Sequence, residues 1–369
     1  MSERPKKKIL GRLVRVAICG VLLAWIFQAI FWSEGKRAWE NSGNQPEWNE
    51  LTRQQRLEVS WEHGPPNLWH NLKEIRPDAF ALSILVMGAT IFLSVIRWRQ
   101  ILEVHGLHLS LGRASEISIV AHFFNTFLPS TGGDLIKAYF AARETHHKKI
   151  EAVGTVFVDR IIGLFALLLF ACAMMPMNIE LLKSDVTFRN TSLFVLAMSA
   201  AGFVATFLAF RGGMSMGFSK AREWIRKLPK GDMIEKLRDS FLVFGKHKSV
   251  LFETVLLSLF IHFVAIIHVQ TVAWGMDSKV TFLQLLTIVP IISCFIVLPI
   301  SPSGLGVREG LFVYMFYSSM IGDSPSKALS ISLLCYAGLV FWSIVGGVVY
   351  TMFKSRHHLD EITHEGEPD

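Results

Sequence analysis

Metal and redox chemistry find little to work with in this chain. Its four cysteines, Cys19, Cys172, Cys294 and Cys335, all lie in apolar runs, and none belongs to a CxxC pair or a Cys/His array. They read as small buried hydrophobes, not as zinc ligands or disulfide partners. HExxH, GxSxG and GK[ST] are absent as well, which leaves metalloprotease, serine hydrolase and P-loop chemistry without a motif. His146 and His147 sit in a basic loop, and His262 and His268 are spaced so that they do not share a helix face. We therefore expect no metal, no cofactor and no enzyme activity.

What the chain has instead is long apolar runs. An apolar share of 51% decides nothing alone, because soluble domains come close to it. The distribution decides. Ile18 to Trp32, Ala79 to Ile96, Ile161 to Met177, Thr191 to Phe210, Val250 to Trp274 and Leu329 to Phe353 each approach the length that spans a bilayer. The net charge of +7 then reads as the basic bias of cytoplasmic loops, and no nucleic-acid partner is expected. Lys6, Lys7 and Lys8 precede an apolar stretch as in a signal peptide, but the stretch is long and no small-x-small cleavage site follows. We read it as a retained first helix.

Two polar breaks interrupt this pattern: Leu128-Pro129-Ser130-Thr131-Gly132-Gly133-Asp134 and Leu298-Pro299-Ile300-Ser301-Pro302-Ser303-Gly304-Leu305-Gly306-Val307-Arg308-Glu309. Proline removes a backbone donor and glycine loosens the chain, so a membrane helix stops at each. Bare backbone at membrane depth is tolerated only inside protein or beside a water-filled cavity. The apolar run before the first break, Ile117 to Leu128, is too short to span, and both flanks of 115–142 are basic. The positive-inside rule makes that segment a re-entrant hairpin entered from the cytoplasm. By the same logic 282–320 is a second hairpin, entered from outside.

The fold class is therefore all-α: a polytopic membrane protein with about six full crossings and two oppositely oriented re-entrant hairpins, resembling an inverted repeat, the alternative being eight ordinary crossings, which places the basic loops less consistently. Residues 1–32 are a basic cytoplasmic start and the first helix. Residues 33–78, with Trp39, Trp48, Trp61 and Trp69, form an external loop in which Thr52 to Glu62 is a short surface helix. Residues 79–355 are the membrane domain, and 356–369 a disordered cytoplasmic tail. Arg97-Trp98-Arg99 reads as an interface anchor, and 211–248 as a basic amphipathic helix on anionic lipid heads. Both termini fall in the cytoplasm, and the expected location is a bacterial cytoplasmic (inner) membrane.

Charges at membrane depth cost about 2.5–3.5 kcal/mol each on insertion scales, so each is a functional candidate. Asp134 and Lys137 open the first returning half-helix, with Asn125 on the descending one. Asp159 and Arg160 lie about two turns into a full crossing. Arg308 and Glu309 open the second returning half-helix. Asp159 and Arg160 are neighbours and point apart, so Asp159 is predicted to pair with Lys137 or Arg308, and Arg160 to reach for the interface. Half-helix N-termini favour anions. Two readings stay open: a centre that receives a lipid phosphate, or ion pairs that satisfy one another. Gly132, Gly133, Ser301, Ser303, Gly304 and Gly306 complete the candidate headgroup site as the small residues of the two breaks.

The stretches from His122 to Lys137, Val158-Asp159-Arg160-Ile161-Ile162-Gly163, and Pro302-Ser303-Gly304-Leu305-Gly306-Val307-Arg308-Glu309-Gly310 are together similar to the lysylphosphatidylglycerol synthase transmembrane family, a flippase-like family. The resemblance covers about residues 80–355. It implies a membrane domain that moves lipids between leaflets, with the bilayer and a phospholipid as partners. In the multiple peptide resistance factor this domain is joined to a soluble aminoacyl transferase. No such domain follows here, so synthase activity is not expected, while a separate lipid-modifying enzyme is a candidate partner. The 33–78 segment is a second departure and bears on which lipid is taken. A homo-oligomer is left open.

Overall fold

The computed structural model describes residues 28–364 except 29–30, 33, 37, 41, 43–45, 128–131, 146–148, 184, 211–230, 299–303 and 318–320. Most of the expected first crossing, the tips of both breaks with Ser301 and Ser303, and much of the basic 211–248 segment lie outside the described residues. No strand occurs among the described residues.

Helix α1, Arg53–Lys73, begins at a capping box in which the Thr52 hydroxyl accepts from Gln55 N–H and the Gln55 side chain accepts from Thr52 N–H. It was expected to be short, yet it runs past Glu62 and through Pro65 and Pro66. Its stripe of Ser60, Gly64 and Leu68, one residue every four, is buried. A Cβ on Gly64 would come 2.4 Å from the Phe31 ring. Packing on both sides of the prolines holds the helix together across the donors they remove. Much of 33–78 is thus a packed element, not a loop.

Helix α2 is Pro77–Val104; α3, Leu111–Phe127; α4, Gly132–Glu144; α5, Lys149–Met174. A 3₁₀ turn, Met175–Asn178, and a short α6, Ile179–Lys183, occupy the expected external loop. Then come α7, Val186–Phe210; α8, Gly231–Lys246; α9, Lys248–Gly275; α10, Phe282–Val297; α11, Val307–Phe316; and α12, Pro325–His364. The tail expected to be disordered is helical to His364.

Five stretches are long and apolar enough to cross a membrane: Pro77–Val104, Ile150–Lys183, Phe188–Phe207, Lys248–Gly275 and Pro325–Met352. They coincide with the expected second to sixth crossings. At 1.5 Å per residue, a 28-residue helix such as α2 is about 42 Å long, ample for a core of about 30 Å. The paired helices α3 and α4, and α10 and α11, have 17, 13, 16 and 10 residues and are too short to span. Each pair packs as a hairpin across one of the breaks.

The chain forms two compact units. One comprises residues 88–169, 197–262 and 339–369 and holds the first hairpin; the other comprises 1–87, 170–196 and 263–338 and holds the second. The boundaries fall inside α2, α5, α7, α9 and α12, which contribute to both.

In the first-hairpin unit, Val95, Trp98, Leu102, Leu107, Ala114, Ile117, Ala141 and Ala152 form a core that ties α3 and α4 to α2 and α5. Gly346 of α12 lies so close to α3 that a Cβ there would meet Ile119 O at 2.1 Å. Thr126 and Ser343 share a 2.5 Å hydrogen bond at the same junction. In the second-hairpin unit, α10 is buried from Leu285 to Ile292. Phe31, Leu68 and Leu329 form a core joined by Leu72, Val313 and Leu333, so α1 packs on α11 and α12.

Candidate functional site

The first site begins with backbone contact. Gly133 opens α4 against α3, where a Cβ would lie 2.1 Å from Ala121 O and 2.7 Å from Asn125 N. That approach lets Gly133 N–H donate to Asn125 Oδ1 at 3.0 Å. Asn125 Nδ2 in turn donates to Asp134 Oδ1 at 3.2 Å. The break therefore aims Asp134 by way of Asn125. The other carboxylate oxygen, Oδ2, accepts from Arg160 Nε at 2.6 Å.

One turn along α4, Lys137 Nζ lies 3.7 Å from Asp159 Oδ2, which is one of the two partners predicted for Asp159. The ammonium also sits 4.1 Å from the Trp98 ring centroid, a cation–π contact. Trp98 is fully buried and donates from Nε1 to Thr155 Oγ1 at 3.4 Å. Asp159 Oδ1 accepts from Arg97 Nε at 2.8 Å, and Arg97 Nη1 donates to Ser258 Oγ at 2.9 Å. Gly163 makes room for that guanidinium, since a Cβ there would lie 3.2 Å from Arg97 Nη1.

This corrects the sequence expectation for Arg97-Trp98-Arg99. Arg97 and Trp98 are buried in the charge cluster, and only Arg99 behaves as an outer residue, paired with Glu103 at 3.0 Å. The cause is that α2 continues well past the apolar run that ended at Ile96. A carboxylate with two oxygens can take two cations, and the one partner predicted for Asp159 left room for Arg97. Arg160, expected to reach for the interface, binds Asp134 instead, a pairing the sequence reading did not name.

The second site lies in the other unit. Gly304 and Gly306 have φ of +71° and +85°, in the left-handed region that favours glycine, and Gly304 is tight against Ile296. Gly306 N–H donates to Glu309 Oε2 at 2.6 Å, capping α11. Glu309 is fully buried, and its Oε1 accepts from Arg308 Nη2 and, at 3.1 Å, from Arg308 Nε. Arg308 also donates to Ser332 Oγ at 3.3 Å and stacks on Tyr336 with its carbon 4.3 Å from the ring centroid. Here the carboxylate caps the half-helix and pairs with its neighbour. His262 and His268 make helix-to-helix hydrogen bonds, His262 Nε2 with Gly163 O and His268 Nδ1 with Ser83 O. Among the described residues no three His, Cys, Asp or Glu side chains gather as metal ligands.

Membrane-length helices, two short-helix hairpins and ion pairs enclosed between helices define an all-α polytopic membrane protein. The chain belongs to the lysylphosphatidylglycerol synthase TM region family, whose pattern it matches over residues 59–346. It is similar to a UPF0104 membrane protein of Pyrococcus horikoshii, 23% identical over 296 residues, covering 74% of this chain and 86% of that one. A UPF0104 membrane protein of Methanocaldococcus jannaschii is 24% identical over 246 residues, 66% of this chain and 99% of that one. A third, from Methanothermobacter thermautotrophicus, is 20% identical over 303 residues, 76% and 86% of the two chains.

Proposed function

We propose that this protein moves a phospholipid, anionic or modified, or a lipid-linked intermediate between the leaflets of a cytoplasmic membrane, without enzyme activity of its own. One observation carries the reading. Three cations and two carboxylates, Arg97, Lys137, Arg160, Asp134 and Asp159, gather around a hairpin too short to span. Such a set is costly at membrane depth and has no purpose in a passive anchor. Breaks of this kind line transport routes in membrane proteins. The basic flanks of the first hairpin favour its entry from the cytoplasm, with both termini on that side.

The test is leaflet exchange in vesicles. Purified protein is reconstituted with head-labelled phosphatidylglycerol and lysyl-phosphatidylglycerol, and the outer label is quenched chemically. Quenching beyond half of the label, reduced in Lys137→Ala and Asp159→Asn, is the expected result. No exchange for any lipid overturns the reading.

A second reading has one specific support: the family's name describes the transmembrane region of a synthase. On that reading the protein serves a separate lipid-modifying enzyme. Its mark is loss of the modified lipid on deletion of this chain, with no exchange by the purified protein.

A further inference from the structure

The charge cluster of the first-hairpin unit is closed on every side but one. Asp159 has both oxygens engaged, Arg97 has two partners, and Lys137 is held between Asp159 and Trp98. Side-chain exposure is 10% for Arg97, 12% for Lys137, 12% for Asp159 and 11% for Asp134, but 54% for Arg160. Arg160 gives Asp134 only its Nε. Its two Nη groups carry no partner among the described residues.

A guanidinium normally meets a carboxylate or phosphate as a fork, with two parallel hydrogen bonds. Here the carboxylate takes one donor and leaves the rest of the fork open. Arg160 follows Lys149, the first residue of α5, by three turns, about 16 Å along the helix, and directly precedes the apolar run that starts at Ile161. Unmet donors at the mouth of a buried charge cluster call for water or an anion. Counting Arg97, Lys137 and Arg160 against Asp134 and Asp159 gives a formal charge of +1, which one monoanionic group neutralises.

We propose that Arg160 is the ligand-contacting cation and Asp134 its built-in competitor. A phosphate-type anion takes the open Nη donors and draws the guanidinium from Asp134, and Asp134 takes it back when the anion leaves. Asn125 keeps Asp134 aimed throughout, while Arg97, Asp159 and Lys137 form the fixed part of the cluster. The phosphodiester of a lipid headgroup and free phosphate share this chemistry. The lipid case rests on the transport reading above; anion binding at Arg160 does not.

Binding is measured on the full chain in nanodiscs, as the immobilised fraction of spin-labelled phosphatidylglycerol against spin-labelled phosphatidylcholine, with inorganic phosphate as competitor. Arg160→Gln is expected to abolish the preference for the anionic lipid, a loss of about tenfold in relative affinity. Asp134→Asn is expected to strengthen it severalfold and to slow dissociation. Asp134→Glu, which keeps the competing charge, guards against misfolding and is expected to retain the preference. Arg99→Gln, an exposed cation on α2, is the control and is expected to change nothing. Displacement by millimolar inorganic phosphate assigns the site to free phosphate; resistance to it assigns the site to the headgroup. An unchanged preference in Arg160→Gln, or weaker binding in a folded Asp134→Asn, overturns the proposal. Binding as expected without leaflet exchange overturns the transport reading alone.

Discussion

Arg97 is the side chain on which the buried charges lean most. It satisfies one oxygen of Asp159, and Ser258 in turn holds its guanidinium. Removing one member of a buried pair leaves an uncompensated charge and costs about 3–5 kcal/mol. Arg97→Ala should therefore lower the melting temperature in detergent markedly. Adding Asp159→Asn to it should recover part of the loss, because the two residues share one interaction. Additive losses would show that the pair does not stabilise the fold. Sequence reasoning found Asp134, Lys137, Asp159 and Arg160 because charges in apolar surroundings demand an account, and it offered Lys137 or Arg308 as the partner of Asp159, of which Lys137 lies beside it. Arg97 escaped it because a cation just past an apolar run has the same local signature whether it caps a membrane helix or lies within a longer one. The pairing of Arg308 with its own neighbour was hidden for another reason: adjacent helical residues normally diverge.

At the scale of elements, the first hairpin was visible as an apolar run too short to span, the second through the charge signs of the loops around it, and the full crossings as runs near the spanning length. Helix α1 was only half visible. The sequence reading ended it at Glu62, and what carries it on through Pro65 and Pro66 is the contact of Gly64 with Phe31 and of Leu68 with Leu329. Its start, by contrast, is a local matter. Thr52→Ala removes the cap at a cost of about 1 kcal/mol, and faster hydrogen exchange over 53–60 with unchanged exchange in α12 is the expected result. The seat of the first hairpin on α12 gives a sharper comparison. A Cβ on Gly346 would meet the Ile119 carbonyl at 2.1 Å, whereas one on Gly347 would meet the edge of the Phe123 ring at 3.0 Å. A ring can swing aside and a carbonyl cannot. Gly346→Ala should destabilise by at least the 1–3 kcal/mol typical of overpacking, and Gly347→Ala by clearly less, as read from paired thermal melts.

For the whole molecule, the orientation derived from charge is open to a direct check. A maleimide that cannot cross membranes should label Glu62→Cys in intact cells and Lys246→Cys only after permeabilisation. Labelling of both from the same side would reverse the assignment of at least one hairpin. The native Cys172, Cys294 and Cys335 are free thiols at half-buried or buried positions, and Cys19 is replaced by serine in the labelling background.

The two units are discontinuous along the chain, and each is completed by α12: the hydroxyl pair joining Thr126 to Ser343 closes over 217 residues, and the hydrogen bond from the Asn71 amide to the Ser326 hydroxyl over 255. During synthesis this imposes a wait. At about 5–20 residues per second, a ribosome needs roughly 10–40 s to travel from the first of these partners to its mate. For that interval the first hairpin is made but lacks the helix it will rest on. Its short, charged halves must be sheltered by the insertion machinery or by lipid-facing neighbours. A nascent chain stopped before Pro325 leaves both hairpins in that state, so α12 is the last element for which either hairpin waits.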